Sequence, residues 1–159
     1  MNSFTEAVPW IVAALGWGAT HLFSEARERR KEVRAQIDKA LERLTAIEQA
    51  ARAFHLSDEF DQQKALAILS DIGRLERFVG RITRFRIDNF TPVIIQHRRA
   101  ITYKNLDKSS FKLQEFESEL LADINSATQD FEDELEAQYR LSYPTTFPYF
   151  RMPSLFFQK

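Results

Sequence analysis

The chain has 159 residues, with 22 Lys+Arg against 23 Asp+Glu and a formal net charge of -1. That length suits one domain of ordinary size, and that balance excludes a globally basic nucleic-acid binder. With no Cys, there is no disulfide framework, thiolate nucleophile or zinc-thiolate site, and three His with four Gly leave little for a metal centre or a phosphate loop.

Residues 1–23 form the first segment. From Ala7 to Phe23 the chain reads AVPWIVAALGWGATHLF, with no fixed charge. As a helix this run would be about 26 Å long, at the short end for a bilayer core of roughly 30 Å. One acid, Glu6, precedes it, and Arg27, Arg29, Arg30, Lys31 and Arg34 follow it. Lys and Arg stay on the cytoplasmic side, so this collar predicts a single span with its N-terminus out and the bulk of the chain in the cytoplasm. The charges follow the apolar run rather than precede it, so the span is expected to be retained, not cleaved as a signal peptide. Trp10, Ala13, Gly16, Trp17, Thr20 and His21 share one face of this helix. That face is expected to serve as a subunit contact or pore lining, because small residues allow close helix approach. The alternative is a first helix buried in the chain's own core.

Residues 24–141 read as helices. Val33, Ile37, Ala40, Leu44, Ile47, Ala51 and Phe54 step by four and three, a narrow seam for packing on another helix. Ser57 offers an N-cap for a second helix from Asp58 to about Ile87, with Ile68, Ile72, Leu75, Val79 and Ile82 as its stripe. Gly73 and Gly80 lie on one face of it, as close packing of another backbone would require. Thr91-Pro92 predicts the start of a third helix reaching about Leu106. Ser109 and Ser110 predict the start of a fourth, to about Leu141, with Leu113, Phe116, Leu120, Ile124, Ala127, Phe131 and Leu135 facing the core. The expected fold is all-α: one N-terminal transmembrane helix continuing into a cytoplasmic up-down helical bundle.

The tail, residues 142–159, contains Pro144, Pro148 and Pro153, which prevent a long helix. Tyr143, Phe147, Tyr149, Phe150, Phe156 and Phe157 would leave a large apolar patch if solvated. Docking on protein, the chain's own bundle or a neighbour's, is expected, with the membrane interface as the alternative.

Charge is segregated. Arg74, Arg77, Arg81 and Arg84 recur on one face of the second helix, and residues 74–104 hold eight Lys/Arg against two acids. Residues 107–138 hold ten acids and two lysines. Pairing of the acidic last helix with the basic helices within one bundle explains both blocks. Contact with anionic lipid or nucleic acid, or head-to-tail contact between subunits, are the other possibilities.

No catalytic or metal-binding motif is present, and neither an enzyme nor a cofactor is expected. The layout of a short N-out span, an Arg-rich stalk and a small helical bundle resembles small single-pass membrane effectors of bacterial phage-defence systems. Some of these carry bundles resembling HEPN RNases, whose motif has four to six residues between Arg and His. Here Arg52 is three residues before His55 and Arg86 eleven before His97, so RNase activity is not implied. The resemblance implies a homo-oligomer in the bacterial inner membrane that forms a pore and depolarises an infected cell. A membrane-anchored adaptor for a protein partner is the competing expectation. A soluble helical protein binding nucleic acid through the Arg stripe is the third.

Overall fold

The seven-residue seam of the first helix sets the architecture. In the computed structural model, which describes residues 3–82, 87–103 and 105–144, Val33, Ile37, Ala40, Leu44, Ile47, Ala51 and Phe54 are all buried. They lie on α1 (Ser3–His55), a continuous helix of 53 residues. Three further helices follow: α2 (Gln62–Val79), α3 (Ile87–Thr102) and α4 (Glu119–Ser142). No strand occurs among the described residues. α1 packs on α2 and on α4, and α4 packs on α3. Arg98 of α3 donates two hydrogen bonds to the Glu76 carboxylate of α2, at 2.9 and 2.7 Å, tying the outer helices together.

The boundaries of α2, α3 and α4 all depart from the sequence expectation. α2 starts at Gln62, not Asp58, because Asp61 is the cap: its carboxylate accepts from the amides of Gln63 at 2.9 Å and Lys64 at 3.1 Å. Ser57 instead donates to the Glu59 carbonyl. The intervening Phe60 is drawn into an edge-to-face cluster with Phe54 and Phe111, at centroid distances of 5.8 and 5.6 Å. α2 also ends early, at Val79, where Gly80 caps it and a tighter turn still buries Ile82.

α3 begins before the Thr91-Pro92 start signal, so Pro92 lies inside it. The turn ahead of Pro92 carries Phe90, fully buried and edge-on to Phe131 at 6.1 Å. Burial of that ring holds helix where local signals alone favour a start.

The largest departure is the segment between α3 and α4. Ser109 and Ser110 do not open a helix; Ser118 caps α4 by accepting from the Leu121 amide. Leu113 and Phe116 are exposed, at 54% and 72%, and are not core residues. The cause is a long-range latch. The Asn105 side chain accepts from the Lys112 amide at 2.6 Å and donates to the Lys112 carbonyl at 2.8 Å. The Gln114 amide donates to the His55 carbonyl at 3.0 Å. Those bonds use backbone groups that a helix through residues 109–118 would need for itself. From Leu120 onward the expected face of α4 is buried: Leu120, Ile124, Ala127, Phe131 and Leu135, joined by Leu121.

Among the described residues no other helix approaches closely at Gly73 of α2 or at its cap Gly80. A Cβ at Gly73 would meet only the Arg77 guanidinium at 3.6 Å, and one at Gly80 only carbonyls of its own turn.

Candidate functional site

Two features of the surface are not explained by folding. The first is the N-terminal part of α1. The first buried residue among its described side chains is Val33, so about 45 Å of helix, from Ser3 on, precedes the packed seam. Among the described side chains there, Trp10 is 78% and Trp17 74% exposed, and Val12, Leu15, Leu22 and Phe23 are each more than half exposed. The described side chains of this N-terminal stretch are therefore not buried in the chain's own core. No helix among the described residues is long and apolar enough to cross a membrane.

On the face expected to make contacts, Trp10, Ala13, Gly16, Thr20 and His21 are all exposed. Gly16 and Gly18 have open space where a Cβ would stand. Thr20 donates its hydroxyl to the Gly16 carbonyl at 2.8 Å, so that polar group is satisfied within the helix. Trp17 and His21 stack in parallel at 5.7 Å, one turn apart.

The basic collar divides by function. Arg27 reaches back to the Phe23 carbonyl, Arg29 pairs with Glu25, and Lys31 pairs with Glu28 at 2.9 Å. Arg30 and Arg34 instead hold α4 against α1. Arg30 donates to the Tyr139 hydroxyl at 3.2 Å, and Arg34 binds the Glu136 carboxylate at 2.7 and 3.0 Å while also pairing with Asp38. Both guanidiniums lie over the Tyr139 ring, at 5.9 and 5.5 Å from its centroid. Tyr143 is half-buried and packs on Tyr139 at 5.4 Å. The other tail residues singled out, Phe147, Tyr149, Phe150, Phe156 and Phe157, lie outside the described residues, as does Arg84.

The second feature is the basic stripe. Arg74, Arg77 and Arg81 line a groove of about 540 Å³ between α1 and α2. Arg43 of α1 closes its opposite wall, with its guanidinium 4.5 Å from the Phe78 ring centroid. The helical spacing of the arginines on α2 announced three of these four; Arg43 was hidden among the charged outer positions of α1. Among the described residues Asp71 is the one carboxylate lining the groove, and it pairs with Arg74 at 3.2 Å. Arg43, Arg77 and Arg81 have no ion pair among the described residues. The expected neutralisation by α4 does not occur here. Among the described residues no ion pair joins α4 to α2; the acids of α4 meet Arg34 of α1 and Gln96 of α3.

The buried histidines serve the core. His55 is enclosed between Ile101 and Asn105. The two bonds to Lys112 orient the Asn105 amide, so its NH₂ faces His55 Nδ1 at 3.1 Å and Nδ1 must accept. Nε2 then carries the proton and donates to the Ile101 carbonyl at 3.3 Å. Burial pushes the His55 pKa down, against the opposing pull of that carbonyl. His97 lies against Phe131 at 5.5 Å with its Nε2 unpartnered, and burial pushes its pKa down to about 4. Among the described residues no group of three or more His, Asp or Glu is placed to hold a metal ion.

No family model, no curated protein and no solved structure matches the chain.

Proposed function

We propose that this chain is a membrane-anchored helical module. Residues 7–23 enter the lipid with the N-terminus outward, and the α1–α4 bundle stands on the cytoplasmic side as a platform for assembly. One observation supports this above the rest: the N-terminal part of α1 stands clear of the bundle with six large apolar side chains exposed. Apolar surface of that extent requires a cover, and an uncharged rod flanked by Arg27, Arg29 and Lys31 suits lipid. The run of 17 uncharged residues is a few ångströms short of a typical core. Local thinning of the bilayer accommodates such a mismatch at modest cost.

Flotation with liposomes tests the proposal. Val12→Arg with Leu15→Arg charges two exposed positions, at about 2.5–3.5 kcal/mol each for insertion near mid-membrane. The native chain should float, and the double variant should remain in the aqueous layer with unchanged helicity. A native chain that stays behind, or a variant that floats equally well, overturns the anchor.

A second reading adds self-assembly of the anchors into a pore, as expected of a defence effector. The open space at Gly16 and Gly18 and the Trp17–His21 stack favour it. Gly16→Leu should lower the particle mass in detergent if that face packs. A native monomer at all concentrations rules the pore out and leaves the anchored adaptor.

A further inference from the structure

We propose that the groove between α1 and α2 binds a ligand carrying two or more phosphate groups. It is a charged site without a structural client: Arg43, Arg77 and Arg81 line one half-open space of about 540 Å³ and make no ion pair among the described residues, and the Asp71 carboxylate beside them is taken by Arg74. That volume is in the range of small-molecule sites. Arg74 and Arg77 lie on the last turns of α2 and Arg81 on the turn just past its end, with Arg43 of α1 opposite, so donors flank the space from both sides.

Charge density selects the ligand. A phosphate monoester brings nearly two negative charges near neutral pH and a phosphodiester one, each spread over several acceptor oxygens, whereas a carboxylate brings one on two oxygens. Two or more phosphates therefore deliver about two to four negative charges to the three unpaired guanidiniums within a volume too small for a long acidic peptide. The planar guanidinium fork also matches phosphate oxygens in bidentate pairs. Ala46, Ile47 and Phe78 supply an apolar wall for the organic part of such a ligand. A nucleic-acid strand is less well served. The groove has one aromatic ring, and Arg43 already lies over it, so no free stacking platform is present in the groove.

The phosphates could belong to a soluble oligophosphate or to a lipid headgroup, and calorimetry on the full chain in neutral detergent separates these sources. One arm titrates inorganic triphosphate; the other adds cardiolipin to the micelles. Binding in either arm supports the site and identifies the source. Arg77→Glu with Arg81→Glu changes two exposed side chains and should weaken that binding at least tenfold, about 1.4 kcal/mol. Arg140→Glu, an exposed charge reversal on α4, should leave it unchanged. The proposal fails if neither probe binds, or if Arg140→Glu weakens binding as much as the double variant. It also fails if single-stranded RNA binds and triphosphate and cardiolipin do not. A double variant that lowers particle mass while leaving phosphate binding intact would assign the groove to a second copy instead.

Discussion

Acidification should destabilise the bundle through His97. The ring is 1% exposed, lies against Phe131, and its Nε2 has no hydrogen-bond partner. Burial lowers its pKa from 6.5 to about 4. Between those values the unfolded chain binds a proton that the folded chain refuses, so stability present above pH 6.5 is lost as pH falls. At 1.36 kcal/mol per pH unit the loss is about 2.5 kcal/mol by pH 4.5. His55 acts in the same direction, since its pKa is also lowered by burial. Glu132 acts oppositely, because burial raises its pKa and its contribution weakens as pH rises. The His97 share is therefore isolated as a difference. Urea denaturation of the native chain and of His97→Leu, followed by circular dichroism at pH 7, 6, 5 and 4.5, should give curves that diverge on the acid side by about 2.5 kcal/mol. Parallel curves would refute the reasoning, because they would mean that the folded state accepts the proton.

Leu44→Ala removes a fully buried side chain from the middle of the α1 seam and should cost about 2–5 kcal/mol in urea denaturation. Asn105→Leu should cost about 1–3 kcal/mol per group left unpaired, at His55 Nδ1 and at the Lys112 amide, while the Lys112 carbonyl keeps the Gln114 side-chain amide as its donor. Amide exchange should then accelerate at Lys112 and Gln114 before it does in the helices. Gly73→Ala should raise stability by about 0.5–1 kcal/mol, read from the same denaturation curves, because the added methyl meets only the Arg77 side chain.

Much of the fold follows from periodicity. The seam from Val33 to Phe54 and the stripe from Ile68 to Ile82 are buried residue for residue, because apolar spacing of three and four leaves only one face to cover. The boundaries were less legible, since they rest on partners remote in the chain. Phe60 delays α2 by joining Phe54 and Phe111, and Phe90 holds helix ahead of Pro92 by packing on Phe131. Asn105 holds Lys112, and the Gln114 amide reaches back to His55, in bonds that replace helix through residues 109–118. The groove was half legible. Spacing placed Arg74, Arg77 and Arg81 on one face, but composition could not say which helix would lie beside them. Pairing with the acidic α4 was the simplest electrostatic expectation. The packing of α4 on α1 and α3 directs its acids elsewhere, and the α1–α2 contact supplies Arg43 instead.

The membrane anchor can be tested with the chain's own probes, because its two tryptophans, Trp10 and Trp17, both lie on the exposed apolar part of α1. Tryptophan emission of the full chain, recorded with and without liposomes, reports that segment alone. Insertion predicts a blue shift on adding lipid and strong quenching when the acyl chains are brominated. Emission that stays at the water-exposed wavelength, with no quenching by brominated lipid, would contradict it.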